Sequence, residues 1–306
     1  MDTTSVIIPL HNVARWFPAS LASLRAQTVP NWEAFCIDDG STDATGEILT
    51  EALRQEPRLH VTFQPPRGVS AARNRGLQQA TGERVTFMDG DDVVQPWWIA
   101  EGQRLLAETS ADFIRFDYTF SSTPIATQPS PATCILEGAE EIQRWGWPAF
   151  TQSGHCWRLF LKRTFAQGAT FPAGVPVKED CLYAFHLLEQ QPTKVCLSAS
   201  KAYGYLRHAT SALHKCCSVE VPLRLAKECA YAPFLLQALL DWAARPNPAE
   251  RVRYSEVQEA YRSLRIPFIW RFSVNAFLRH GILWPLRLQT FLVRVAVKLK
   301  GGRAHG

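Results

Sequence analysis

The eight cysteines include no CxxC pair, and the chain has no internal repeat and no low-complexity tract. The first absence argues against zinc-ribbon and dithiol redox chemistry, the others against solenoids and disordered arrays. Adjacent Cys216 and Cys217 have no second pair to complete a metal site, so the expectation is reduced, structural thiols. The start, MDTTSVIIPL, lacks the basic residues and long apolar run of a signal peptide, which favours a cytoplasmic protein. Long apolar runs are missing too: in the last 41 residues Arg or Lys interrupts each one before it reaches the roughly 20 residues of a membrane span.

What is present is globular material: 306 residues, 46% hydrophobic and 20% charged, enough for one large domain or two modest ones. The net charge of +5 is uneven. From Arg245 to Gly306 there are twelve Lys or Arg against three acidic residues, so that stretch carries +9 and the remainder −4. A uniform basic field would suggest nucleic acid. A basic tail rich in Trp, Phe and Leu points instead to an anionic membrane surface, and no nucleic-acid partner is expected.

The first 120 residues alternate apolar runs with helical patterns, as βαβ units do. Strands are expected at 5–9, 33–40, 59–64 and 83–89. Helices are expected at 14–27, at 42–55 with Thr42 or Asp43 as cap, and at 69–82 ended by Gly82. A helix at 96–107 and a strand at 112–120 follow, then a Pro, Ser and Thr rich loop at 122–133. Residues 138–212 carry further candidates, including a helix at 179–191 with Leu182, Phe185 and Leu188 on one side. From Val219 the pattern is almost wholly helical.

Polar residues gather after the strands: His11 and Asn12, Asp38 and Asp39, then Asp89, Asp91 and Asp92. In open α/β sheets ligands bind beyond the carboxyl ends of the strands, so these groups should converge on one crevice. Three carboxylates in VTFMDGDD repel one another unless water or a cation compensates. A solvated turn and a Mg2+ or Mn2+ site both fit that stretch. Likewise Glu179 and Asp180 in VKEDCLYAFHLL suit either a helix N-terminus or a general base.

SVIIPLHN, LxSLxxQTxxNWE (21–33), IDDGSTDAT (37–45), GVSAARNRGLxxATGE (68–83) and VTFMDGDD together resemble, in order and spacing, the nucleotide-sugar domain of family 2 glycosyltransferases. The resemblance is close over 5–108 and looser to about 212. It implies a GT-A fold, Rossmann-like with a mainly parallel mixed sheet, a nucleoside diphosphate sugar donor with UDP foremost, a divalent Mn2+ or Mg2+, and transfer with inversion. It assigns Pro9 and His11 to the uracil floor, although the family usually has Tyr where this chain has His11. It gives Asp39 the uracil N3 proton, with Asp38 beside it, and has Arg73 contact the nucleotide. Asp89, Asp91 and Asp92 share the ribose and metal, Asp91 and Asp92 nearest the ion. Asp180, with Glu179 beside it, becomes the catalytic base. Arg207, His208 and Ser211 in YGYLRHATSA would reach phosphate or metal, and Trp157 would lie under the acceptor sugar, where a buried core tryptophan is the alternative.

From Ile266 onward there are seven basic residues and no acidic one. On a helix, Arg287, Arg294 and Lys298 fall within about 40° of arc, suiting a helix that lies on a membrane; a basic subdomain packed on the catalytic lobe is the alternative. The expected organisation is a catalytic domain over 1–215, split into a donor half (1–110) and an acceptor half (111–215), followed by a basic helical extension over 216–306. The expected protein is cytoplasmic, peripheral on the inner face of the cell membrane. Its acceptor is a saccharide or lipid-linked molecule in cell-surface polysaccharide or lipooligosaccharide synthesis. Two rivals stand: a nucleotidyltransferase with a related α/β site, and a non-catalytic nucleotide-sugar-binding membrane scaffold.

Overall fold

In the computed structural model, residues 3–120, 128–142, 155–173 and 179–206 are described. The expected helical extension, and with it Arg207, His208 and Ser211, lies outside them.

Strand β1 (Thr4–Leu10) is buried at every position, as a near-continuous apolar run should be in a sheet covered on both faces. It pairs in parallel with β2 (Trp32–Asp39) and β4 (Arg84–Phe87), and β2 pairs in parallel with β3 (Leu59–Gln64). The crossovers are α1 (Phe17–Arg25), α2 (Thr45–Gln55) and α3 (Val69–Gln79). Since these four strands run one way, Leu10, Asp39, Gln64 and Phe87 all end on the same edge.

The sheet continues beyond β4. After β5 (Val93–Val94), α4 (Trp98–Thr109), β6 (Phe113–Phe120) and β7 (Thr133–Glu137), strand β8 (Leu159–Lys162) inserts between β4 and β6, antiparallel to both. Beyond helix α5 (Glu179–Glu189), the long β9 (Lys194–Tyr205) runs parallel to β6 and antiparallel to β5 and β7. Among the described residues nine strands therefore make one mixed sheet in the order β3-β2-β1-β4-β8-β6-β9-β5, with β7 also on β9. One apolar cluster runs through it, from Leu59 and Ala34 to Phe160, Phe113 and Tyr203.

Three local expectations are corrected. Helix α3 stops at Gln79, before Gly82, because the Glu33 carboxylate collects the N–H groups of Thr81 and Gly82 at 3.1 and 3.0 Å and the Thr81 hydroxyl at 2.8 Å. Helix α2 starts at Thr45 with Ala44, not Thr42 or Asp43, at the N-cap position; Asp43, one residue earlier, accepts the Thr45 N–H on Oδ1 at 3.0 Å because the chain turns once more before the helix begins. Strand β4 ends at Phe87, and the chain turns through Met88 to Asp92, whose N–H closes on the Asp89 carbonyl at 3.1 Å. The five cysteines among the described residues are buried and form no disulfide with one another. No helix among the described residues is long and apolar enough to cross a membrane.

Candidate functional site

The loops after β1 and β2 are laced together at the sheet edge. Asn12, at φ 54°, accepts the Thr42 and Asp43 N–H groups on Oδ1 at 2.8 and 3.3 Å, while its own N–H donates to Ser41 Oγ at 3.0 Å. Exposed His11 donates from Nδ1 to the Asp39 carbonyl at 2.9 Å. Since a carbonyl only accepts, that bond fixes the tautomer, and Nε2 is left to accept from Asn12 Nδ2 at 3.3 Å. Pro9 is buried within β1 beneath this loop.

Asp38 and Asp39 are both buried. Asp38 Oδ1 accepts the Ser41 N–H at 2.9 Å, a local turn bond. Asp39 reaches the next crossover: Oδ1 accepts Gln64 Nε2 and the Arg67 N–H, each at 2.8 Å, and Oδ2 accepts the Gly68 N–H at 2.7 Å. Gly68 begins α3 at φ 89°, a conformation that residues with a side chain rarely adopt. A carboxylate has about four lone-pair sites, so three bonds leave Asp39 room for roughly one more donor.

Arg73, buried in α3, forks between two carboxylates. Nη1 donates to Glu179 Oε1 at 2.6 Å and Nη2 to Asp89 Oδ1 at 2.9 Å, with the guanidinium 5.3 Å from the Phe171 ring centre. The Phe171 segment is pinned to α3 by Asn74, which both donates to and accepts from the Phe171 backbone at 2.8 Å. Burial opposes the charge on Arg73, but Cys156, Asp89, Glu179 and Asp180 outweigh it and hold its pKa well above the ordinary value. Burial, then Asp180, pushes Glu179 upward against the pull of Arg73.

The acidic turn is fixed from behind by β9. The Asp89 N–H donates to the Tyr203 hydroxyl at 2.9 Å, and Asp92 Oδ1 accepts the Leu206 N–H at 2.7 Å. Asp92 is fully buried, its Oδ2 without a hydrogen-bond partner among the described residues. Burial, then Asp91 and Asp89, raises its pKa well above the ordinary carboxylate value. Asp89 and Asp91 are half-buried. Gly90 fits between them because a Cβ there would run into Leu10 Cδ2 at the end of β1.

Three neighbouring carboxylates, one with an orphaned oxygen, have the chemistry to hold a hard divalent cation. Among the described residues, however, no three His, Cys, Asp or Glu side chains converge as a ligand cluster.

Asp180 lies in the first turn of α5. Its Oδ1 accepts the Cys181 N–H at 2.8 Å, and its Oδ2 lies 3.1 Å from His155 Nδ1. The His155 ring stacks on Trp157 at 4.8 Å and 8°, and Trp157 stacks in turn on Tyr203 at 4.3 Å and 16°. Trp157, expected under an acceptor sugar, is only 3% exposed and is covered by protein rings, with His155 between it and Asp180.

The structure thus brings Arg73, Asp89, Glu179 and Asp180 together, and sets His11, Asp38 and Asp39 around the loops of the same sheet edge. His155 and Tyr203 were not singled out from the sequence. No local pattern marks them, because each acts on a residue distant in the chain.

An open α/β sheet with Asp38, Asp39 and Asp89 at or just beyond the carboxyl ends of its parallel strands has the layout in which such folds bind ligands. The model of Glycosyl transferase family 2 matches residues 5–163, just over half of the 306 residues, and the chain belongs to that family. Among curated relatives, glycosyltransferase GlyA of Streptococcus pneumoniae is 37% identical over 117 residues, 38% of this chain and 17% of its own length. The uncharacterized glycosyltransferase YibD of Escherichia coli is 36% identical over 146 residues, 45% of this chain and 42% of its own. The match thus spans less than half of either relative. The structure of Staphylococcus aureus TarS 1-349 in complex with UDP-GlcNAc superposes with a TM-score of 0.71 at 17% identity, covering 96% of this chain and 92% of TarS 1-349. The mannosyltransferase PcManGT of Pyrobaculum calidifontis, in complex with GDP-Man and Mn2+, gives a TM-score of 0.52 at 15% identity over 99% of this chain and 88% of its own. At these identities the likeness establishes the fold, which is the GT-A arrangement.

Proposed function

We propose that the chain is an inverting glycosyltransferase that moves a sugar from a nucleoside diphosphate donor, UDP foremost, onto a saccharide or lipid-linked acceptor used in cell-surface glycan synthesis. The observation that carries the reading is the Arg73 fork, which ties the acidic turn at Asp89 to the first turn of α5 and so holds Asp180 beside the donor crevice.

In this reading His11 and Pro9 face the base, Asp38 shapes the loop beside it, and the remaining acceptor site of Asp39 takes the uracil N3 proton. Arg73 acts on the donor through Asp89, which its guanidinium orients toward the ribose. Asp91, with the buried Asp92 behind it, would hold Mn2+ or Mg2+; His208 and Arg207 are assigned to the ion and the diphosphate from the sequence. A divalent cation, when bound, supplies compensation for the charge of the departing diphosphate. Asp180 takes the proton from the acceptor hydroxyl as the oxygen attacks the anomeric carbon. The bond from that carbon to the diphosphate oxygen breaks, and the nucleoside diphosphate leaves from the opposite face. Glu179 holds Arg73 and hence the angle of the base helix, and Trp157 reaches the acceptor side through His155. The basic tail from Arg245 supports a peripheral position on an anionic membrane.

The test is incubation of the full chain with a panel of UDP-GlcNAc, UDP-glucose, UDP-galactose and GDP-mannose, with and without Mn2+, following release of the nucleoside diphosphate. Metal-dependent release from one donor supports the reading. Pyrophosphate release from a nucleoside triphosphate would point to the nucleotidyltransferase, and binding without release to the scaffold.

A further inference from the structure

We propose that His155 is the positioning residue of the base: it donates a hydrogen bond from Nδ1 to Asp180 Oδ2 and thereby fixes the plane of the carboxylate that takes the acceptor proton. The inference deepens the reading above and rests on Asp180 being the base.

Two donors among the described residues hold the carboxylate. The Cys181 N–H holds Oδ1 at 2.8 Å, and His155 Nδ1 lies 3.1 Å from Oδ2. An ionised carboxylate only accepts, so the imidazole proton of this contact sits on Nδ1. With one oxygen held by the helix and the other by the ring, the carboxylate cannot turn about its last torsion without losing a bond. A base on the first turn of a helix otherwise has that freedom, and small misplacements of a reacting group are costly to rate.

The imidazole is itself immobilised. Its ring lies 4.8 Å from Trp157 and nearly parallel to it, and Tyr118 meets it edge-on at 6.3 Å. Trp157 stacks with His155 and also with Tyr203 at 4.3 Å and Tyr205 at 5.6 Å, and Tyr118 meets it at about a right angle at 5.1 Å. Tyr203 is fully buried, and its hydroxyl receives the Asp89 N–H. The base on α5 and the acidic turn after β4 are therefore registered against the same tyrosine, through the stack on one side and a hydrogen bond on the other. Trp157 gains a reason to be buried: it is the bed on which the positioning ring lies.

The full chain and the variants H155A, H155L, H155N and D180N are compared for hydrolysis of the four donors above with Mn2+, water serving as acceptor. Asparagine keeps an N–H close to the position of Nδ1; alanine and leucine do not. H155A and H155L are expected to lower kcat by about 10- to 100-fold with the donor KM within about twofold, and H155N to recover most of the loss. Adding H155A to D180N is expected to change nothing further, since the histidine acts only through the carboxylate. If H155A fails to fold, judged by circular dichroism, H155L against H155N makes the same comparison. Wild-type kcat in H155A or H155L, or an equal loss in H155N, overturns the proposal. Near-normal turnover in D180N, or no turnover of any donor by the wild type, overturns the underlying reading instead, so the two failures are separable.

Discussion

Arg73 and Glu179, 106 positions apart in the chain, meet in a hydrogen bond of 2.6 Å, and the other arm of the same guanidinium holds Asp89 at 2.9 Å. The planar fork matters here because a single cation serves two carboxylates on different elements.

Replacing Arg73 with methionine leaves the buried Glu179 and the half-buried Asp89 without their cation and should destabilise the fold by about 3 kcal/mol. Arg73→Lys keeps the charge but not the fork, so one carboxylate loses its partner. Its melting temperature should fall less than that of the methionine variant, while its turnover drops by at least tenfold. Thermal denaturation and nucleoside diphosphate release measured on the same preparations check both outcomes.

Tyr203→Phe removes one oxygen and leaves the Asp89 N–H without its acceptor. A loss of about 1–3 kcal/mol by urea denaturation is expected, the cost of an unsatisfied buried donor. Because that N–H fixes the acidic turn, donor affinity measured by calorimetry should weaken as well. An unchanged affinity would show that the turn keeps its shape without the tyrosine.

At Gly90 the constraint is space. Gly90→Ala brings a methyl group against Leu10 Cδ2 and should cost about 1–3 kcal/mol while displacing Asp89 and Asp91. Shortening Leu10 to Val in the same chain makes room, so the double variant should recover part of both stability and turnover. Simple addition of the two single effects would argue against contact as the cause.

Stability at low pH should depend on Glu33. Burial alone would raise its pKa, but hydrogen bonds from Ser5, Thr81 and Gly82 outweigh it and leave the carboxyl below its ordinary value of 4.5. A group that binds protons less readily in the folded state contributes stability above its unfolded pKa and loses it as pH falls through the folded one. The wild type should therefore exceed Glu33→Gln in unfolding free energy at pH 7, and the gap should narrow as the pH is taken from about 5 to 3. A gap independent of pH would exclude the charged form as the cause.

The parallel half of the sheet was readable because each strand is an apolar run ending in polar residues and each crossover has helical periodicity. Strand β8 was not readable as the neighbour of β4: LFLK is four residues long, and nothing local says that it will insert between β4 and β6. The same divide runs through the site. Asp89, Asp180 and Arg73 stand out by residue type and position in recognisable stretches. His155 and Tyr203 reach partners 25 and 114 residues away, and a side-chain contact across that separation leaves no periodic trace. Glu33 was legible only as part of a motif, and its use as the stop for α3 appears once Thr81 and Gly82 are seen to converge on it.

The C-terminal end of β9 and the residue after it also have a bearing on synthesis. Asp89 and Asp92, made early, obtain their partners from Tyr203 and Leu206, and β5 obtains its pairing from Tyr203 and Gly204. A nascent chain that has completed β1 to β4 holds the loops around Asp39, but its acidic turn is tied back through Arg73 and Asp89 and not yet to β9. The donor crevice takes its final form only when more than a hundred further residues have emerged from the ribosome, so a chain cut short before Tyr203 would be unable to close it.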